Sequence, residues 1–230
     1  ATAAIVPGNG TTWVAPPAPQ IADSSSRGPV LADGSDILKP DIAAPGTDVL
    51  AATANAQGGT PTFNLLSGTS MASPHIAGLA ALYLGERPNA TPAEIKSALM
   101  TTAYNAVNSA GAEISDAFAQ GAGQVDPRKY FEPGLLYLNG VEDWLAYLQG
   151  LGWEAGVEPI DASDLNLASI AIGSLSAPQT VTRTVTSTQK GNYTANVVLP
   201  GFDVTVSPST LSFGAAGETA TFKVTFTRTT

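Results

Sequence analysis

Ser67-Gly68-Thr69-Ser70-Met71-Ala72-Ser73-Pro74-His75-Ile76-Ala77-Gly78 places a serine where a glycine-led turn passes into a helix. The run from Met71 to Leu84 carries no acidic or basic residue other than His75. A helix apolar all round is expected to be buried on all sides. Pro74 reads as lying in its first turn, where a missing N–H costs nothing. A serine at this place is suited to be a nucleophile. The free N–H groups of the first turn point toward its oxygen, and the helix dipole favours negative charge there. Both features stabilise the oxyanion of an acyl transfer. Gly68 lets another backbone or a substrate approach closely. Gly-Thr-Ser taken alone also reads as a plain N-cap on a core helix.

Upstream, residues 1–36 are rich in Pro, Gly and Ser and read mostly as loop, with short extended pieces near Ile5-Val6 and Trp13-Val14. Asp41-Ile42-Ala43-Ala44-Pro45-Gly46 reads as a turn, and Asp48–Ala51 as extended. Downstream, Thr91-Pro92-Ala93-Glu94 has the form of a capping box with proline at the first helical position. Ile95, Ala98, Leu99 and Thr102 then give a helical stripe, which predicts an amphipathic surface helix from Pro92 to about Ala103. Asn139–Leu151 reads as a shorter helix and Gly152–Ala162 as a linker. Beyond it, Leu167–Ile172, Thr180–Thr186, Tyr193–Leu199, Val204–Ser207, Thr210–Phe213 and Thr219–Thr227 are short strand-like runs split by turn residues. Their spacing predicts a β-sandwich.

Composition narrows the function classes. With 43% hydrophobic and 13% charged residues, the 230-residue chain can build a sizeable core. The net charge of -9 disfavours nucleic acid and anionic membrane surfaces as partners. The absence of cysteine excludes disulfides, thiolate catalysis and Cys-zinc sites. No apolar run approaches the ~18 residues of a membrane span. Low charge with abundant Ser, Thr, Ala and Gly fits a secreted, extracellular protein. Ala1-Thr2-Ala3-Ala4 has neither an initiator methionine nor a basic leader region, and reads as a mature or cut end.

Over its whole dozen residues, Ser67–Gly78 resembles the serine signature of the subtilisin-like peptidases. Lys39–Gly46 and Ser25-Ser26-Arg27-Gly28-Pro29 are similar to stretches that precede it in that family. Gly121–Pro127, Glu132–Tyr137 and the Asp143–Gly152 helix resemble the end of the catalytic domain in the cucumisin-like branch. Leu165–Thr230 is similar to that branch's fibronectin-III-like domain, most clearly at Thr182–Thr186 and Val206–Phe213. The resemblance implies an α/β unit with a parallel sheet over residues 1–152, a linker over 153–164 and an all-β sandwich over 165–230. It implies a serine endopeptidase acting on proteins or peptides, without a cofactor or metal. Ser70 would be the nucleophile. Its own N–H, with Gly68 and Thr69, would serve the oxyanion and substrate. Met71, Pro74 and His75 would be structural neighbours, and the Met71 thioether would be open to oxidation.

A serine nucleophile needs a base and an orienting carboxylate. The one histidine, His75, lies five residues along the same helix and turned away. In the resemblance it is structural. The family's Asp and His blocks and its oxyanion Asn lie upstream of the matched region, and Asp33-Gly34-Ser35 has the wrong order. An N-terminal truncation is therefore expected, with the chain inert alone and its partner the missing upstream part. Without that part, the sheet faces and the Met71–Leu84 helix would expose apolar surface, with marginal stability or association as the result. The C-terminus reads as cut too, since six runs fall short of the roughly seven strands of a full sandwich. A sedolisin-like fragment and a non-catalytic binding module are the alternatives. Asn9, Asn89 and Asn192 open glycosylation sequons. The acidic residues from Glu113 to Asp164 are scattered without a calcium-loop pattern, and Trp144 and Trp153 are expected to pack between domains.

Overall fold

The computed structural model describes residues 15–55 and 57–229. The pieces expected at Ile5-Val6 and Trp13-Val14, and the sequon at Asn9, lie outside these residues. Two strands, β1 (Val49–Ala52) and β2 (Phe63–Leu66), pair antiparallel with Val49 opposite Leu66. Helix α1 (Thr69–Glu86) follows after two residues, and α2 (Pro92–Thr101) after a short turn. Thr91 Oγ1 caps α2 by accepting the Glu94 N–H at 3.1 Å. The Glu94 carboxylate turns elsewhere and accepts the Tyr83 hydroxyl at 2.9 Å. Among the described residues, parallel pairing in this half is carried by the bridge between Ala43 and Gln124.

The core of this half lies between the end of α1, α2 and the segment after Gln124. Tyr83, Ile95, Ala98, Leu99, Val125, Tyr130 and Leu136 are buried together. Tyr83 and Phe131 stack with centroids 5.5 Å apart, and the Arg87 guanidinium lies over the Tyr83 ring. In α2, Ala93, Ile95, Ser97, Ala98, Leu99 and Met100 are all buried, so it is an interior helix more than the expected surface one.

Helix α1 is not buried on all sides; it leaves apolar surface open, the exposure expected of residues 71–84 in this chain alone. Tyr83 is its one buried residue, and Leu82 is 62% exposed. On β1 and β2, Leu50 and Phe63 are each 67% exposed. The apolar run dictates that this surface seeks burial; among the described residues, Leu50, Phe63 and Leu82 stay largely uncovered.

A two-lysine strap ties the 39–44 segment to α2. Asp41 accepts from Lys39 Nζ at 2.6 Å and pairs with Lys96 Nζ at 2.9 Å. Burial alone raises the Asp41 carboxyl, but the hydrogen bonds and charges of Lys39 and Lys96 outweigh it and hold it below the usual range. A carboxyl depressed in the fold contributes stability above its unfolded value and loses it as pH falls through the folded one. Urea midpoints are therefore expected to drop as pH descends below about 4. Lys96→Met should shrink that drop; an unchanged acid profile would count against the strap.

Helices α3 (Ala117–Gln120) and α4 (Val141–Gly150) flank a two-residue strand, β3 (Leu135–Leu136). The linker packs back on α4: Ile160 N–H donates to Ala146 O at 3.2 Å, and a 3-10 turn follows at Ala162–Asp164. Trp144, 40% exposed, meets Tyr147 of its own helix edge-on, and Trp153 is 69% exposed.

The sandwich consists of β4 (Gln179–Ser187), β5 (Gly191–Thr194), β6 (Phe202–Ser207), β7 (Thr210–Phe213) and β8 (Thr219–Arg228). One sheet has the order β3-β4-β8-β6; β5 pairs with β7 in the other. Val181, Val185, Phe213 and Val224 face inward, as strict alternation in the sequence requires.

Leu167–Ile172 is not a strand. The edge of β4 that it would pair with is satisfied by side chains. Asp164 accepts the Thr182 N–H at 2.7 Å, and Asn166 both accepts from Thr184 N–H and donates to Thr184 O. Arg183, 2% exposed, gathers the carbonyls of Leu167 and Ser169 at 2.9 Å each. The run read as Tyr193–Leu199 ends as a strand at Thr194, leaving Val197–Leu199 exposed.

Candidate active site

Three separate stretches converge on one cleft of about 590 Å³. Ser24–Ser26 form one wall, Ile42–Thr47 a second, and Gly68, Thr69, Ala72, Ser73 and Ile76 at the start of α1 a third. These are the three stretches whose sequence carries the serine signature and its upstream companions. No charged or titratable side chain lines the cleft among the described residues.

Gly68 caps α1 with φ 155°, a conformation open to glycine. Its carbonyl accepts the Met71 and Ala72 N–H groups at 3.0 and 3.3 Å, and the helix opens two residues ahead of the apolar run. Its own N–H donates to Gly46 O at 2.7 Å. Glycine is needed at 46 as well: a Cβ there would lie 2.8 Å from Gly68 O and 3.2 Å from the Ala72 Cβ.

Thr69 and Ser70 are the first two helical residues, and both are exposed. Among the described residues, the Ser70 hydroxyl makes no hydrogen bond and the Thr69 and Ser70 N–H groups donate to no main-chain oxygen. The arrangement offers a free hydroxyl beside free amides at the positive end of an 18-residue helix.

Pro74 corrects the sequence reading. The helix begins at Thr69, so Pro74 sits in its second turn, and the Ser70 carbonyl loses the amide four residues on. His75 is exposed, and its Nδ1 lies 2.8 Å from Met71 O. A carbonyl accepts only, so Nδ1 carries the proton and the ring is held against its own helix. Met71 is half-buried beside Gly68.

The acidic residues nearest in sequence have other partners. Asp33 accepts from Ser35 N–H and the Tyr147 hydroxyl, Asp41 belongs to the lysine strap, and Asp48 is bonded to Ser67. Sequence reading missed Gly46, Asp48 and Ser67 as parts of the site. Ser67 stands inside the signature string, but nothing local marks its partner 19 positions earlier.

Residues 8–123 match the subtilase family model, and residues 164–230 match that of a fibronectin type-III domain. Subtilisin-like protease SBT3.6 of Arabidopsis thaliana is 39% identical over 229 residues, covering 89% of this chain and 29% of that protein. Subtilisin-like protease SBT1.4 of the same plant is 36% identical over 249 residues, covering 92% of this chain and 32% of that protein. The structure of the prenylagaramide maturation protease PagA is 30% identical, covers 43% of this chain and 33% of its own, and superposes with a TM-score of 0.33. The chain thus spans 29% and 32% of the length of the two plant relatives. With a match that takes in half of its residues, and with the serine signature in place at the head of α1, this chain belongs to the subtilase family and carries a fibronectin type-III domain behind it.

Proposed function

We propose that this chain is the nucleophile-bearing C-terminal part of a secreted serine endopeptidase, in which Ser70 attacks a peptide carbonyl and carries the acyl group. The observation that supports it is the exposed, unbonded Ser70 hydroxyl in the first turn of α1, next to amides without acceptors. Attack needs a base to take the hydroxyl proton and a carboxylate to orient that base. His75 is tied to Met71 O and cannot reach. The base and its carboxylate come from polypeptide outside these residues, and the same polypeptide covers Leu50, Phe63 and Leu82. The Ser70 N–H, with Thr69 beside it, receives the developing oxyanion. The substrates are proteins or peptides.

Fluorophosphonate treatment separates the parts of this reading. The 230-residue chain, folded by circular dichroism, is expected to stay unmodified. The complete product of the same gene should gain one adduct, absent in Ser70→Ala. An adduct on the isolated chain would reveal a base within it. An unmodified complete protein would remove Ser70 as the nucleophile.

A further inference from the structure

The ladder of β1 and β2 ends at Leu66 and α1 begins at Thr69. Ser67 and Gly68 alone connect the sheet to the nucleophile, and both are fastened to one turn. The Asp48 N–H donates to Ser67 Oγ at 2.8 Å. The Ser67 hydroxyl donates back to Asp48 Oδ1 at 3.2 Å. The Gly68 N–H donates to Gly46 O at 2.7 Å.

Asp48 itself has a left-handed backbone, with φ 49°. Among non-glycine residues, Asp and Asn tolerate this conformation best. The conformation turns both its N–H and its carboxylate to the same hydroxyl. Ser67 Oγ is thus acceptor and donor at once, a pairing that a side chain without a hydroxyl cannot make. Asp48 and Ser67, like Ser70, are not among the residues that line the cleft.

Resting on the reading of Ser70 as nucleophile, we propose that Asp48 and Ser67 are a positioning pair for acyl transfer. They fix the turn from which α1 starts, and so fix the Ser70 hydroxyl relative to the amides that face the reacting carbonyl. Small misplacement of a reacting group costs rate far more than binding. The pair should therefore act on kcat and leave KM nearly unchanged.

The test is made in the complete peptidase. Ser67→Ala is expected to lower kcat about tenfold, with KM held within about twofold. The fluorophosphonate inactivation rate should fall by the same factor as kcat. Ser67→Thr, which keeps the hydroxyl, should restore most of the loss. Asp48→Gly supplies the second variant, since glycine adopts the left-handed backbone without strain and lacks only the carboxylate. It should fold as the parent does and still lose kcat. Unchanged kcat in both variants would overturn the proposal. So would a loss confined to KM, or a loss that threonine leaves unrestored. A complete parent protein with neither peptidase activity nor adduct would sink the serine-peptidase reading, and the role of the pair with it; an active parent with indifferent variants would sink the pair alone.

Discussion

Arg183→Ala is expected to lower the unfolding free energy of the sandwich by about 3 kcal/mol, read from urea denaturation. The guanidinium is 2% exposed and donates to Leu167 O, Thr182 O and Ser169 O, each at 2.9 Å. Removing it orphans carbonyls that have turned away from any strand partner. Each orphan costs about 1–3 kcal/mol, and release from the burden of a buried charge offsets part of the total. Burial pulls its pKa down to about 10, so the charge persists through the physiological range. Lysine, with one compact head, cannot span acceptors that the planar fork reaches together, and Arg183→Lys should recover less than half. An unchanged urea midpoint in Arg183→Ala would mean that residues 167–169 find other donors.

Gly121→Ala should be as damaging to the other half, by roughly 3 kcal/mol or more. Gly121 closes α3 at φ 62° and ψ -128°, a conformation for glycine alone. A Cβ there would stand 2.5 Å from both the carbonyl carbon and oxygen of Asp41. The Asp41 segment runs on to Gly46, and Gly46 seats Gly68 at the head of α1. The damage should therefore reach Ser70, and fluorophosphonate reactivity of the complete protein should fall along with its melting point. Gly58→Ala is the control. Gly58 also has a positive φ, 79°, but nothing lies within 4 Å of its added Cβ, so it should cost only about 1 kcal/mol. Equal effects at the two positions would show that backbone conformation matters and the crowding does not.

The candidate nucleophile stands out in the sequence because its signature sits in one unbroken string, Ser67–Gly78. The start of α2 was legible for the same reason, although Glu94 spends its carboxylate on Tyr83. What escaped depends on residues distant in sequence. Asp48 and Ser67 are 19 positions apart, and no periodicity announces a left-handed aspartate. Leu167–Ile172 had the composition of a strand, but Asp164, Asn166 and Arg183 had already taken its hydrogen bonds. The apolar circumference of α1 was read as burial in a whole domain and as open surface in this chain alone. Local pattern states what a surface requires, while the fold of this chain leaves most of that surface open. Pro74 fell a turn later than expected because the Gly68 carbonyl opens the helix before the apolar run begins.

The short strand Leu135–Leu136 belongs to two structures at once. Leu136 is buried with Leu99 and Tyr130 in the first core, while its backbone pairs with Thr186 at the edge of the sandwich. The Tyr137 N–H next to it is bonded to Ser97 on α2. A gene rearrangement that moved only residues 165–230 onto another scaffold would leave β3 behind and strip β4 of its neighbour. A transplant that keeps β4 paired would therefore have to cut before Glu132 instead of within the linker.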